Sequence, residues 1–270
     1  MSATPMLSRA SPLYDNCTVF SPNGVPMFRA SRKKLDWYLS RGLAEAIDDT
    51  SIRLLFEPAG MGHGLNGEET YFLEDKLNIC VGCGSEDSLT AHHIVPLQYR
   101  RHMPLEIKSH YSVDVVLLCV VCHDAYERHA ADLKLALADA HQAPLNGVGL
   151  ILHRETRKLH SDIKAMLMSQ KPGSRIPPER ARQLENSVRA ALSIPAEKAQ
   201  IPEEAINEAL ERPVLVKGKD YKSHGEIVID SISDNQLDNF CRQWRAHFID
   251  NVRPRFLSEA WRVDGPVRKS

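Results

Sequence analysis

Cys80-Val-Gly-Cys83, then Ala91-His92-His93-Ile94-Val95-Pro96, then Asp114-Val-Val-Leu-Leu-Cys119-Val-Val-Cys122-His123-Asp-Ala-Tyr-Glu127 is the stretch that decides how this chain folds. Two C-x-x-C pairs flank it, separated by 35 residues. Four thiolates in two such pairs suit a tetrahedral zinc ion with no open position, a structural staple rather than a catalytic metal. Gly82 and Gly84 let the backbone turn tightly around the first pair. A redox pair is the competing reading. It needs a reactive couple at a helix start, a pattern only one of the two pairs could meet.

The segment between the pairs carries chemistry. His92 and His93 stand side by side at the end of an expected strand, where alternation sends neighbouring side chains to opposite faces. His123 and Glu127 are spaced i, i+4 at the start of an expected helix, about Cys122 to Ala143, and so share one face.

Outward from this module the chain reads as α+β. Cys17 to Phe28 forms a β-hairpin around Asn23-Gly24. Ser31 caps a helix to about Arg41, stopped by Gly42. Ile52 to Phe56 reads as a strand, and Pro58 to Glu69 as a Gly-rich connection that matches no phosphate-loop pattern. Helices are expected at 154–170, from Pro177-Pro178 to about Leu192, after Pro202, and from Asn235 to Asn251. The last carries Leu237, Phe240, Cys241, Trp244 and Phe248 on one face. Val214–Val216 and Glu226–Ile229 read as a strand pair across Gly218. The expected division is 1–14 as a disordered N-terminus, 15–69 as a strand and helix region, 70–143 as the zinc module and 144–270 as a helical C-terminal region. The first 14 residues, with Ser, Thr, Ala and Arg9 and no acid upstream of Asp15, have a faint transit-peptide composition without its Arg richness.

Composition sets limits. The chain has 270 residues, 43% apolar and 26% charged, with net charge −1. No overall basic field draws a polyanion, so any nucleic-acid contact must be local. Local excesses occur at 29–41 (Arg29, Arg32, Lys33, Lys34 and Arg41 against Asp36) and at 242–270. Solvated surface is the plain alternative for each. Residues 86–135 hold five Lys/Arg and seven Asp/Glu, so the module itself is not basic. Cys17 and Cys241 stand alone and read as packing residues. The cysteine usage fits a reducing, intracellular compartment. The longest apolar run, Val115–Cys122, is far short of the ~20 residues a membrane span needs. Trp37, Trp244 and Trp261 could stack bases, although packing is the commoner fate.

The combination C-x2-C, His-His-x-Val-Pro, Asp-x4-C-x2-C-His resembles the HNH (ββα-metal) endonuclease family. The resemblance implies a zinc-stapled ββα-metal core, with the N-terminal β-hairpin and helical C-terminal extension around it. It implies His92 and His123 as ligands of a catalytic Mg²⁺ or Mn²⁺, with Glu127 one turn on. It implies His93 as the base that activates water. Asp114 stands where the family has Asn. It is expected to orient His93 or ligate the metal. Arg100, Arg101, Lys33 and Lys34 are the expected nucleic-acid contacts.

Ser21-Pro-Asn-Gly, Ala30-Ser-Arg-Lys-Lys with Trp37-Tyr38, Ile52-Arg-Leu-Leu-Phe-Glu-Pro and Val95-Pro-Leu-Gln-Tyr-Arg-Arg-His resemble the C-terminal region of the 3′–5′ exonuclease domain-containing protein 2 family, without its exonuclease domain. That implies a nucleic-acid-processing setting in nucleus, cytoplasm or mitochondrion. The expected function is metal-dependent hydrolysis of phosphodiester bonds in DNA or RNA. The alternative is a non-catalytic zinc-stabilised module that binds nucleic acid or protein, as an accessory to an exonuclease.

Overall fold

The computed structural model describes residues 8–60, 69–108, 111–195, 198 and 200–268, with the side chains of 69 and 111 left aside. Elements are numbered in chain order. The chain divides into two compact units, one running to Leu145 and resuming at His224, the other spanning Asn146–Ser223. The residues grouped as 144–270 from sequence therefore contribute to both.

The first unit opens with a four-stranded sheet, order β2-β1-β4-β3, made of β1 (Cys17–Phe20), β2 (Pro26–Ala30), β3 (Ala44–Asp48) and β4 (Ser51–Leu54). The hairpin turn uses a single positive φ, +78° at Gly24, and Ser21 Oγ accepts from Val25 N. Helix α1 (Arg32–Ser40) is capped by Ser31, whose side chain accepts from Lys34 N. Val19, Met27, Leu35, Ile52 and Leu54 form the core beneath it. Strand β3, Ala-Glu-Ala-Ile-Asp, has a helix-favouring composition and exists because it pairs with β4. The short helix α2 (Glu69–Leu73) follows the Gly-rich connection, of which 61–68 lie outside the described residues.

Strands β5 (Leu89–His93) and β6 (Val115–Cys119) form a two-stranded antiparallel ladder, and α5 (Val120–Ala140) follows β6 directly. Between the strands lie the short helices α3 (Leu97–Arg100) and α4 (Leu105–Lys108) and a 3₁₀ turn at Tyr111–Asp114. After the second unit, α9 (His224–Asp230) and α10 (Leu237–Val252) return to this core. On α10, Leu237, Phe240, Cys241, Trp244 and Phe248 are buried at three- and four-residue spacing. Each large side chain so buried contributes about 2–3 kcal/mol of transfer free energy.

The second unit pairs β7 (Val148–Leu152) with β8 (Leu215–Lys222) and packs α6 (Arg154–Ser169), α7 (Pro178–Ala191) and α8 (Glu203–Glu211) around Leu159, Ile163, Leu184, Val188 and Ile206.

Two expectations change. Glu226–Ile229 is helical, not a strand paired with Val214–Val216; β8 pairs with β7 instead. The β-branched run Ile227-Val228-Ile229 mimics a strand, but burial falls on 224, 225, 228 and 229, a helical spacing. Gly225 makes this packing possible, because a Cβ there would lie 2.0 Å from Gln98 O on α3. Of the N-terminus expected to be disordered, 1–7 lie outside the described residues, and within 8–14 hydrogen bonds are made to the rest of the chain. Arg9 N donates to Leu89 O at 2.7 Å, and Leu13 N and Tyr14 N both donate to Asn78 Oδ1. No helix among the described residues is long and apolar enough to cross a membrane.

Candidate metal centres

The ladder and its helix bring the four cysteines together. Cys80 and Cys83 form a turn just before β5, closed by Cys80 N to Ser85 O at 2.7 Å and Gly84 N to Cys80 O at 2.8 Å. Gly84 sits at φ +85°, and a Cβ there would press to 2.8 Å on the Phe256 ring. Val81 N donates to Leu117 O, tying the turn to β6. Cys119 ends β6 and caps α5, its Sγ accepting from Cys122 N.

The four Sγ atoms lie within 4.8 Å of one another. Sulfurs about 2.3 Å from a tetrahedral zinc ion stand about 3.8 Å apart. Cys83 and Cys119 Sγ stand 3.7 Å apart, too far for a disulfide and matched to that edge. Burial raises a thiol pKa, yet at Cys80 the backbone N–H groups of Cys119, Cys83 and Gly82 outweigh it and draw the value to about 7. Cys122 goes the other way, driven up by burial and by the Cys119 and Cys83 sulfurs beside it. Four sulfurs so close cannot all ionise without a cation among them, and the donor set fits zinc. Cys17 and Cys241 are buried elsewhere, as packing residues.

The second cluster lies on the same ladder and helix. Along β5 burial alternates, so Thr90 and His92 share the buried face while His93 projects from the other, half-buried. One turn of α5 aligns His123 with Glu127. His92, His123 and Glu127 offer ligand atoms within 4.8 Å of one another. His92 Nδ1 is 2.9 Å from His123 Nε2, and Glu127 Oε1 is 3.8 Å from the same nitrogen. Two nitrogens bound about 2.1 Å from one ion at a right angle stand about 3.0 Å apart, so the spacing suits a shared ion.

Thr90 decides which form His123 takes. Its hydroxyl lies 2.8 Å from Leu118 O, a pure acceptor, and 2.7 Å from His123 Nδ1. The hydroxyl proton goes to the carbonyl, so the oxygen accepts from Nδ1–H and Nε2 is left with its lone pair toward the cluster. His92 is held between the edge of Tyr126 at 5.0 Å and the face of Phe248 at 5.6 Å. Its Nε2 is buried with no hydrogen-bond partner, so the ring's polar contact is made through Nδ1 alone. Burial above all pushes its pKa to about 3, which keeps it in the neutral, ligating form. Glu127 is held down at about 2, against burial, by the His123 ring and by Lys134, whose Nζ meets its other oxygen at 3.0 Å. Two neutral imidazoles and one carboxylate are a donor set that fits a divalent ion.

His93 lies across the strand from His92. Burial first, then Arg100 and His123, lower its pKa, so it is a neutral acceptor at neutral pH.

Asp114 and Arg100 are corrections. Asp114 is 2% exposed and outside the His92 cluster. Its Oδ1 accepts from Arg245 Nε at 2.7 Å, and its Oδ2 from Arg100 Nη2 at 2.6 Å and Arg245 Nη2 at 3.3 Å. With both oxygens held by guanidinium groups, it serves as an ion-pair hub rather than as a ligand or a partner of His93. Arg100, 4% exposed, is a member of that hub and not a nucleic-acid contact. Arg101, Lys33 and Lys34 are exposed, the latter two on α1.

Thr90, Tyr126, Lys134 and Arg245 escaped the sequence reading, which placed Phe248 only on the apolar face of the last helix. Only Thr90 left a signal, two positions before His92 on the same strand face. The others depend on contacts that no local spacing announces.

No family model matches the chain, and no solved structure matches it. Sequence comparison finds similarity to human Exonuclease 3'-5' domain-containing protein 2, 33% identical across 95% of this chain and 41% of the human protein. The Drosophila melanogaster protein of that name is 32% identical across 95% of this chain and 44% of its own length. Protein RRP6-like 3 of Arabidopsis thaliana is 38% identical across 50% of this chain and 15% of its own length. The chain thus spans under half the length of each of these relatives.

Proposed function

We propose that this chain is a divalent-metal-dependent nuclease of the HNH, ββα-metal kind, hydrolysing phosphodiester bonds in DNA or RNA. The observation that carries the reading is the convergence of His92, His123 and Glu127 on the β5–β6–α5 unit that the four cysteines close. The exonuclease names of the animal relatives support a nucleic-acid-processing setting and go no further.

In this reading His92 Nδ1, His123 Nε2 and Glu127 Oε1 hold the ion. A divalent ion held there would offset charge that builds on the phosphodiester. His93 takes the proton from the attacking water at a ring nitrogen, which burial and Arg100 keep unprotonated. Thr90 orients His123, and the Tyr126 and Phe248 rings hold His92 and exclude water from its buried edge. Asp114 keeps α3, the start of β6 and α10 in register around the site. The cysteine cluster is a structural zinc site in this reading, and the second ion is Mg²⁺ or Mn²⁺, with imidazole donors favouring Mn²⁺.

The test is cleavage of single- and double-stranded DNA and RNA by the purified chain with Mg²⁺ or Mn²⁺, beside His93→Ala. The account expects activity with the divalent ion, at least a hundredfold lower in the variant at unchanged zinc content. Equal traces of activity in both proteins would contradict it. That outcome would favour a zinc-stabilised binding module, the reading supported by the acidic balance of 86–135 and by the locked Asp114.

A further inference from the structure

Two open grooves border α1 and share Ser31, Lys34 and Tyr38. The inner groove, about 640 Å³, is lined by the rings of Tyr14, Phe28 and Phe56, by Lys34 and by Arg29, the last paired with Asp75 at 2.9 Å. No carboxylate lines it among the described residues. The outer one, about 610 Å³, runs past Lys33 and Trp37, with Asp36 its one acidic lining residue. Trp37 is 45% exposed, a large apolar ring left in solvent. The Arg41 guanidinium lies 4.3 Å over it, and the Tyr38 ring meets it edge-on at 5.0 Å. Positions 33, 37 and 41 follow one another at i, i+4, so cation, aromatic and cation form one stripe. On the inner side Lys34 Nζ sits 4.6 Å over Phe28.

Ser112 and Val115 also line the inner groove. Val115 is the residue directly opposite His93 in the β5–β6 ladder. Residues opposite each other in an antiparallel pair project from the same face, about 5 Å apart. The groove therefore leads from the basic, aromatic surface of α1 to the sheet face that carries His93.

We infer that these grooves form a track for single-stranded nucleic acid. Cations follow the phosphates, and the exposed Trp37 ring stacks an unpaired base. A duplex offers its phosphates but keeps its bases stacked inside, so it leaves the rings unused. This inference rests on the nuclease reading for its purpose but is testable apart from it.

The experiment is fluorescence anisotropy of labelled oligothymidylate, oligouridylate and a mixed-sequence duplex with the full chain. No divalent ion is added, so binding is read without cleavage. Both single strands should bind at least tenfold tighter than the duplex. Trp37→Ala should lose about tenfold in single-strand affinity and Trp37→Phe should retain most of it. Joint Lys33→Gln and Lys34→Gln should flatten the dependence of log affinity on log salt by about 1.4. Unchanged melting checks that these surface variants are folded. Duplex binding as tight as single-strand binding, no binding at all, or affinities indifferent to Trp37 and the lysines would each overturn the inference. Tight single-strand binding with these sensitivities, but no cleavage on adding Mn²⁺, would leave the track standing and remove the nuclease reading. His93-dependent cleavage by a chain whose KM ignores Trp37 and the lysines would do the reverse.

Discussion

The Thr90 hydroxyl has one proton, and Leu118 O receives it. That single constraint leaves His123 Nε2 as a bare lone pair facing His92 and Glu127. Thr90→Val keeps the shape and loses the hydroxyl, freeing the ring to change tautomer. Calorimetric titration with Mn²⁺ should show affinity weakened about 10- to 100-fold, while Thr90→Ser stays near the parent. Equal affinity in all three proteins would mean that the hydroxyl only fills space. Asp114 is the second decisive residue. Two buried guanidinium groups converge on it, and Arg245 also donates to Gly265 O and Pro266 O. Aspartate rather than asparagine follows, because two cations need an anion between them. Asp114→Ala strands those charges and should cost about 3–5 kcal/mol in urea unfolding. A loss under 1 kcal/mol would show that water reaches the arginines and that the hub is not what fixes α10.

The element that matters most is the succession β5, β6, α5. Its ladder is only five residues long on each side, and isolated two-stranded ladders are marginal in water. The cysteine pairs close it at its Leu89–Cys119 end, so Cys83→Ala, leaving three ligands, should release zinc and lower the melting temperature by 10 °C or more, on the order expected when a structural ion is lost. Unchanged melting and zinc content would remove the staple. This same succession was the most legible part of the sequence, because ligand spacing and strand alternation are local signals: C-x-x-C, His-His and i, i+4 each fix a relation between near neighbours. What stayed hidden was set by distant partners. Asp114 looked like a site residue because nothing near it in sequence announces Arg245, 131 positions away. Arg100 looked exposed because a short helix, α3, had left no period to read. Ile227-Val228-Ile229 looked like a strand because β-branching is local and the packing of Gly225 on Gln98 is not.

At the scale of the molecule, both candidate centres belong to the unit that ends at Leu145 and resumes at His224. Three of the six arginines in 242–270 are engaged by carboxylates: Arg245 by Asp114, Arg262 by Asp264, Arg268 by Asp234 and Asp238. Net charge is −1 over the chain, and the proposed track draws its cations from α1 and its C-cap: Lys33, Lys34 and Arg41. Substrate recruitment, ion binding and proton transfer are all proposed for this one small scaffold. The claim on which they all depend is that His92, His123 and Glu127 share an ion. Anomalous diffraction from crystals soaked in Mn²⁺, recorded on both sides of the manganese absorption edge, tests it most directly. The account predicts a manganese peak within bonding reach of His92 Nδ1, His123 Nε2 and Glu127 Oε1, with a separate zinc peak among the four sulfurs. A map with no manganese at those three residues, in crystals that hold zinc at the cysteines, would contradict it.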